Sequence, residues 1–251
     1  YLTPTNNSRL EFSIYRDYIR KIFKTELINF SDLQHHDCHA SIAFYNSEFS
    51  EALVVVVDRD GSVLFDPNGN FMGRESESVY QCSYPDKIVP IYKSFFIHND
   101  GPKFSIENYI KSIYQSRNFY PEIKLNHEWG IVKVYEAATT LIGENPLENG
   151  KTMGISSYGE NLDYKPLFQD GRTLSHYFTL LDNGISCFYG EEENITNRVT
   201  KENYQFYANK AKHVQIETQK EVLEIIKKQN INLIVNIDFS SPIMIIFFIT
   251  N

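Results

Sequence analysis

Ala52-Leu53-Val54-Val55-Val56-Val57-Asp58-Arg59-Asp60-Gly61-Ser62 is the stretch that decides the fold class. Its apolar run shows no polar alternation, and a strand of that kind suits a sheet covered on both faces. Helices must supply the covering layers, so the chain reads as α/β. The run stops at a carboxylate, Asp58, and at a turn containing Gly61, and a second short strand is expected over Val63 to Phe65. An ordinary acidic hairpin turn accounts for this composition. A turn whose backbone amides face a phosphate accounts for it as well, which makes Asp60, Gly61 and Ser62 candidate phosphate contacts.

Upstream, Gln34-His35-His36-Asp37-Cys38-His39-Ala40-Ser41-Ile42-Ala43-Phe44-Tyr45 gathers three of the seven histidines. In a helix, His35 and His39 project from one face and can reach a single ion. A polar helix start with both imidazoles in water has the same spacing. With the strand-end carboxylate of Asp58, the pair forms a candidate site for one divalent transition metal. Cys38 beside it reads as a thiolate ligand, a nucleophile or simply a small residue.

The pattern His35-His36-x-x-His39-Ala40-x-x-Ala43-Phe44-Tyr45-x-Ser47-x-Phe49, followed by Glu51-Ala52 and the Val-rich strand ending in Asp58, resembles the NodU-type carbamoyltransferases. These make carbamoylated nodulation factors and antibiotics. Further on, His127 to Thr139 resembles the family's Gly-x-x-Tyr-x-x-x-Thr helix, with Tyr135 and Thr139. Glu148 to Gly159 resembles its Gly-Lys-x-Met-Gly-Leu-Ala-x-Tyr-Gly segment, with Gly150, Lys151, Met153, Gly154, Tyr158 and Gly159. The motifs follow in order over about Ile28 to Val235.

The resemblance implies a ribonuclease-H-like, actin-like (ASKHA) fold, with a mixed sheet and flanking helices, as in the family's N-terminal domain. It implies a cytoplasmic transferase that moves a carbamoyl group from a carbamoyl-adenylate, formed from carbamoyl phosphate and ATP, to an acceptor hydroxyl. The implied metal is an iron-type divalent ion, Fe(II), on His35, His39 and Asp58. His36 or Asp37 would orient a ligand or accept the acceptor's proton, though solvated side chains fit those positions equally. Asp60, Gly61, Ser62, Lys151 and Gly154 are the corresponding candidates for ATP or adenylate contacts, Lys151 through a phosphate or carboxylate. A noncatalytic metal- or nucleotide-binding remnant and a phosphotransferase of the sugar-kinase type remain alternatives.

Departures from the family pattern shape the expected boundaries. Residues 1–251 are expected to be a partial N-terminal domain, its first nucleotide-binding lobe incomplete, and no stretch matches the family's adenylate-forming domain. After Val235 the family has Gly-Gly-Val-x-x-Asn and a later carboxylate ligand, whereas this chain reads Asn236-Ile237-Asp238-Phe239-Ser240-Ser241-Pro242. Residues 236–251 are therefore an atypical tail, for which an interrupted reading frame near Asn236 is the expectation.

Elsewhere the pattern supplies alternating helices and hairpins. Leu10 to Leu27 reads as an amphipathic helix, Ser78 to Cys82 and Ile88 to Ile91 as strands of a small meander, and Phe104 to Tyr114 as a helix. Glu128 to Leu141 is a helix stopped by Gly143 and Pro146, where His127 and Glu128 read as an acid/base pair or as capping residues. The glycines from Gly150 to Gly159 permit a close approach of backbone to a ligand or another element. Leu174 to Leu181 and Ile185 to Tyr189 form a hairpin through Asp182-Asn183-Gly184. Tyr204 to Lys228 is the longest helix, with Gln215 on its flank, and Ile231 to Val235 is a buried strand.

Composition agrees with a folded protein of one large domain or two lobes, at 42% hydrophobic residues in 251. A formal net charge of -8 and the absence of a basic stripe argue against nucleic acid as a partner. Three scattered cysteines describe no disulfide framework and fit a reducing compartment. No secretory leader pattern opens the sequence. Ile243 to Ile249 falls far short of the ~20 apolar residues a membrane helix needs. Partners are expected to be small molecules.

Overall fold

The computed structural model describes residues 17–18, 20–24, 33–59, 61–66, 69–97, 103–128, 130–169, 172–173, 178–180, 186–188, 199–229, 234–236 and 244–249. The chain divides into two units, Tyr1–Asp32 and Leu33–Asn251. In the first, residues 17–18 and 20–23 are helical with exposed side chains; most of the helix expected over 10–27 lies outside the described residues.

The second unit opens with helix α1 (His35–Tyr45) and strand β1 (Glu51–Val57), whose side chains are buried from Ala52 to Val57. Strands β2 (Val63–Phe65), β3 (Phe71–Ser83) and β4 (Lys87–Ile97) follow as an antiparallel meander. The last two run well beyond the expected segments, because Glu75, Ser76, Glu77, Lys93 and Ser94 are strand residues with buried polar side chains. Helix α2 (Lys103–Gln115) crosses to strand β5 (Glu122–Asn126), which lies parallel to β4. Helices α3 (Ile131–Leu141) and α4 (Asn149–Ser156) come next, then the strand pairs β6 (Phe168–Gln169) with β7 (Arg172–Thr173) and β8 (Phe178–Leu180) with β9 (Ser186–Phe188). The long helix α5 (Tyr204–Lys227) leads to β10 (Ile234–Asn236) and β11 (Met244–Ile249).

Strand order in the seven-stranded sheet is β10-β11-β1-β3-β4-β5, with β2 paired to β3. It is a mixed sheet, antiparallel except where β5 joins β4, so the α/β expectation holds. Within the tail, β11 stands between β10 and β1, placing Met244 opposite Val57 and Phe248 opposite Leu53. Residues 237–243 lie outside the described residues.

Period-two alternation assigns each face. Leu53, Val55, Val57, Val79 and Tyr92 pack under α3 and α5 in the largest apolar cluster. On the other face Ala52, Val54, Val56, Tyr80 and Cys82 meet Ala40, Ala43 and Phe44 of α1, while Phe95 and Ile97 meet Ile106, Ile110 and Tyr114 of α2. Helices thus cover both faces, which is why β1 needs no polar alternation.

Two expectations are corrected. The helix expected from Glu128 begins at Ile131: Gly130 is its extended N-cap, and Glu77 Oε1 accepts the Ile131 amide at 2.9 Å. Over Asn149–Ser156 the glycine-rich segment is helix α4, where neither Gly150 nor Gly154 makes the close approach expected of the glycines. Only Gly159, beyond its end, makes the close approach: a Cβ there would stand 2.1 Å from the Ala208 carbonyl of α5.

Candidate metal centre

Helix α1 and the turn after β1 meet at the site. Leu33, fully buried and in the left-handed region (φ 62), turns the chain into the helix. Gln34 offers no side-chain cap. The cap comes from elsewhere: the Ser62 hydroxyl accepts the His35 amide at 3.0 Å. His35 and His39 then face Asp58, the first residue after β1. His35 Nε2 lies 2.7 Å from Asp58 Oδ2 and 3.0 Å from His39 Nε2, and His39 Nε2 lies 3.4 Å from the same oxygen.

These three donors, all within 4.8 Å of one another, could hold a metal ion. Donors ~2.1 Å from a common ion stand ~3.0 Å apart at right angles and ~3.4 Å apart at the tetrahedral angle. The two separations involving His39 already match those values, and two imidazoles with one carboxylate suit a divalent transition metal. Binding displaces the hydrogen bond between His35 and Asp58. The carboxylate is ready for it: burial works against its charge, but hydrogen bonds with His35 and His39 outweigh burial and hold the group well below the usual carboxylate range.

His36 and Asp37 do not face this site in the same way. His36 is fully buried, its Nδ1 2.7 Å from Ser78 Oγ and 3.4 Å from Glu75 Oε1. Burial lowers its pKa from 6.5 to about 4, against the pull of Glu75, so it is neutral near pH 7. Its Nε2 has no hydrogen-bond partner among the described residues. That nitrogen faces Gly61, where a Cβ would stand 2.5 Å away, so the glycine gives the imidazole its room. Asp37 receives the Tyr80 hydroxyl at 2.7 Å and Arg117 Nη1 at 3.1 Å.

Behind α1 lies a buried polar cluster. Lys93 donates to Glu75 Oε1 at 2.5 Å and to the Tyr80 hydroxyl, all three side chains being fully or almost fully buried. Burial works against the charge of Glu75, yet His36 and Lys93 outweigh it and hold the carboxyl at about 2. Nothing about the spacing of Glu75, Tyr80, Lys93 or Arg117 singles them out in the sequence. The available signal is a pair of charge-bearing segments, 74–77 and 93–94, inside runs that otherwise make good strands.

The remaining candidates are dispersed. Asp60 lies outside the described residues. The Gly61 amide donates to the Glu75 carbonyl at 2.9 Å and the Ser62 amide to Glu75 Oε2 at 3.2 Å, so both are engaged inside the protein. Lys151 pairs with Glu144 at 2.6 Å and Glu148 at 3.0 Å, and Gly154 has open space where a Cβ would stand. His127 Nδ1 lies 3.1 Å from the Ile97 carbonyl, in the bend before α3. Gln215 accepts the Tyr135 hydroxyl, joining α5 to α3. Arg59, next to Asp58, pairs with the buried Glu136 of α3 and so ties the site turn to the opposite face of the sheet. No helix among the described residues is long and apolar enough to cross a membrane. No family model matches the chain, and no curated protein matches it.

Proposed function

We propose that the chain is the metal-binding part of a NodU-type carbamoyltransferase, where a carbamoyl group passes from a carbamoyl-adenylate to an acceptor hydroxyl, with a ribonuclease-H-like, actin-like sheet. The carrying observation is the convergence of His35, His39 and Asp58. The meander β1-β3-β4 with the parallel β5 and helices on both faces supports the fold reading. The imidazoles of His35 and His39 and the carboxylate of Asp58 would hold Fe(II). When bound, such an ion polarises a carbamoyl oxygen or lowers the pKa of an acceptor hydroxyl. His35 and His39 present nitrogen lone pairs, and Asp58 supplies the balancing charge. His36, neutral and buried against Gly61, serves as support for α1. Asp37, paired to Tyr80 and Arg117, fixes the same helix.

A noncatalytic metal-binding role is the second reading. It is favoured by the engagement of the Gly61 and Ser62 amides and of Lys151, the groups that a nucleotide would need.

Metal content after dialysis tests the site. The folded chain should retain one divalent transition ion, and His35→Ala, His39→Ala and Asp58→Ala should each lose it; unchanged stoichiometry in all three removes the site. A second measurement separates the readings. The purified chain of 251 residues, given carbamoyl phosphate, ATP and a panel of hydroxyl acceptors, should yield no carbamate by mass spectrometry, because no stretch resembles the adenylate-forming domain. Supplied with pre-formed carbamoyl-adenylate and Fe(II), it should yield product if the transferase reading is right and none if the domain only binds metal.

A further inference from the structure

We propose that the buried pair Glu75 and Lys93 is a positioning device for the metal centre, acting through Ser62 on His35 and through Tyr80 on Asp37. The proposal rests on the metal reading above. Both side chains have no exposed surface, and Lys93 Nζ stands 2.5 Å from Glu75 Oε1. A buried ion pair is weak evidence for stability, since apolar residues of similar volume often serve as well. The pair's connections point to a role instead.

Glu75 holds the turn after β1 at three points. Its carbonyl accepts the Gly61 amide at 2.9 Å, its amide donates to the Ser62 carbonyl at 2.9 Å, and Oε2 accepts the Ser62 amide at 3.2 Å. The Ser62 hydroxyl then accepts the His35 amide at 3.0 Å, so the first residue of α1 hangs on Glu75. On the other side Lys93 donates to the Tyr80 hydroxyl, which donates to Asp37 Oδ1 at 2.7 Å. Helix α1 is thereby gripped at His35 and Asp37, and both grips return to one ion pair. The turn that Glu75 pins also begins at Asp58, whose amide donates to the Ser76 carbonyl at 3.4 Å. The pair therefore fixes the helix that carries the two imidazoles against the turn that follows Asp58, in the manner of the outer partners that orient metal ligands.

Co(II) is the probe, read by equilibrium titration and by its ligand-field absorption. Two double variants are compared: Glu75→Leu with Lys93→Met, and Glu75→Gln with Lys93→Met. Both remove the ion pair, but only the glutamine keeps an acceptor for the Ser62 amide. The Leu/Met variant should bind cobalt about tenfold to a hundredfold more weakly than wild type with altered bands. The Gln/Met variant keeps the Ser62 link but not the Lys93 link to Tyr80, so it should recover part of the affinity, and no recovery beyond the Leu/Met value would overturn the route through Ser62. Should the Leu/Met protein fail to melt cooperatively, Ser62→Ala, which removes the next link, takes its place with the same expected loss. Wild-type affinity and bands in the Leu/Met or Ser62→Ala protein overturn the positioning role while leaving the metal site standing. If wild type itself takes up no cobalt, the metal reading falls and takes this proposal with it.

Discussion

At the scale of residues, adjacent positions on α1 do opposite work. His35 and His39 look toward Asp58 and keep some exposure, whereas His36 between them is turned into the sheet. Helical geometry makes that division, since neighbours about 100° apart on the helix cannot share a face. The spacing of the pair was legible in the sequence; the burial of His36 was not, because it depends on Ser78 and Gly61, far away in the chain. A pH effect follows. The unfolded chain protonates His36 near its ordinary 6.5, while the folded chain resists until about 4. Between those values the unfolded state binds more protons, so the His36 contribution to stability falls as pH drops through that window and levels off below it. A shift of this size is worth on the order of 3 kcal/mol. Glu75, held at about 2 against an ordinary 4.5, adds its own loss from about pH 4.5 downward, so the overall profile keeps falling below the His36 window. Denaturant unfolding of metal-free protein should show the decline between about pH 6.5 and about pH 4, and His36→Gln should flatten it. A wild-type profile level across that range would contradict the burial argument.

At the scale of elements, the sequence shows most clearly what periodicity and turn residues encode. β1, β2, α2 and α5 fall where the apolar runs place them, and β8 pairs with β9 within the expected hairpin, whose Asp182-Asn183-Gly184 turn lies outside the described residues. β5 escapes notice because Glu122-Ile123-Lys124-Leu125-Asn126 is short and carries two charges in five residues, and it becomes a strand only by lying against β4 at the sheet edge. α4 escapes because Gly150 and Gly154 are poor helix formers. Tertiary contacts decide it: the Thr139 hydroxyl of α3 lies 2.9 Å from Asn149 Oδ1 and 2.7 Å from Thr152 Oγ1, with all three residues buried. These contacts join the two later motif segments of the sequence. Thr139→Val keeps the volume but strands two buried polar groups, so urea unfolding should show a loss of about 1–3 kcal/mol. Cobalt affinity should stay unchanged, since this junction is on the face of the sheet away from α1. An equal stability of Thr139→Val and wild type would mean that α4 is held by its apolar contacts alone.

For the whole molecule, both faces of the sheet combine apolar clusters with buried polar groups: Glu77, Glu136 and Thr139 on the side under α3 and α5, and Glu75, Lys93 and His36 on the side under α1 and α2. The metal ligands lie at the boundary of that second layer, two on α1 and one at the end of β1, and they meet only when the helix is seated on the sheet. In the unfolded chain the His35 and His39 pair is cut off from Asp58, so an ion binds the native state in preference and stabilises it by mass action. At a free ion concentration of about a hundred dissociation constants the gain is about 2.7 kcal/mol, or roughly 5–10 °C in melting temperature for a chain of this size. Thermal melts with and without cobalt should show that shift in wild type, its reversal by chelator, and its loss in Asp58→Ala. Thr139→Val should melt lower than wild type yet keep the full shift, because its defect lies in packing away from the ligands. A shift of the same size in Asp58→Ala would place the bound ion somewhere other than between α1 and β1.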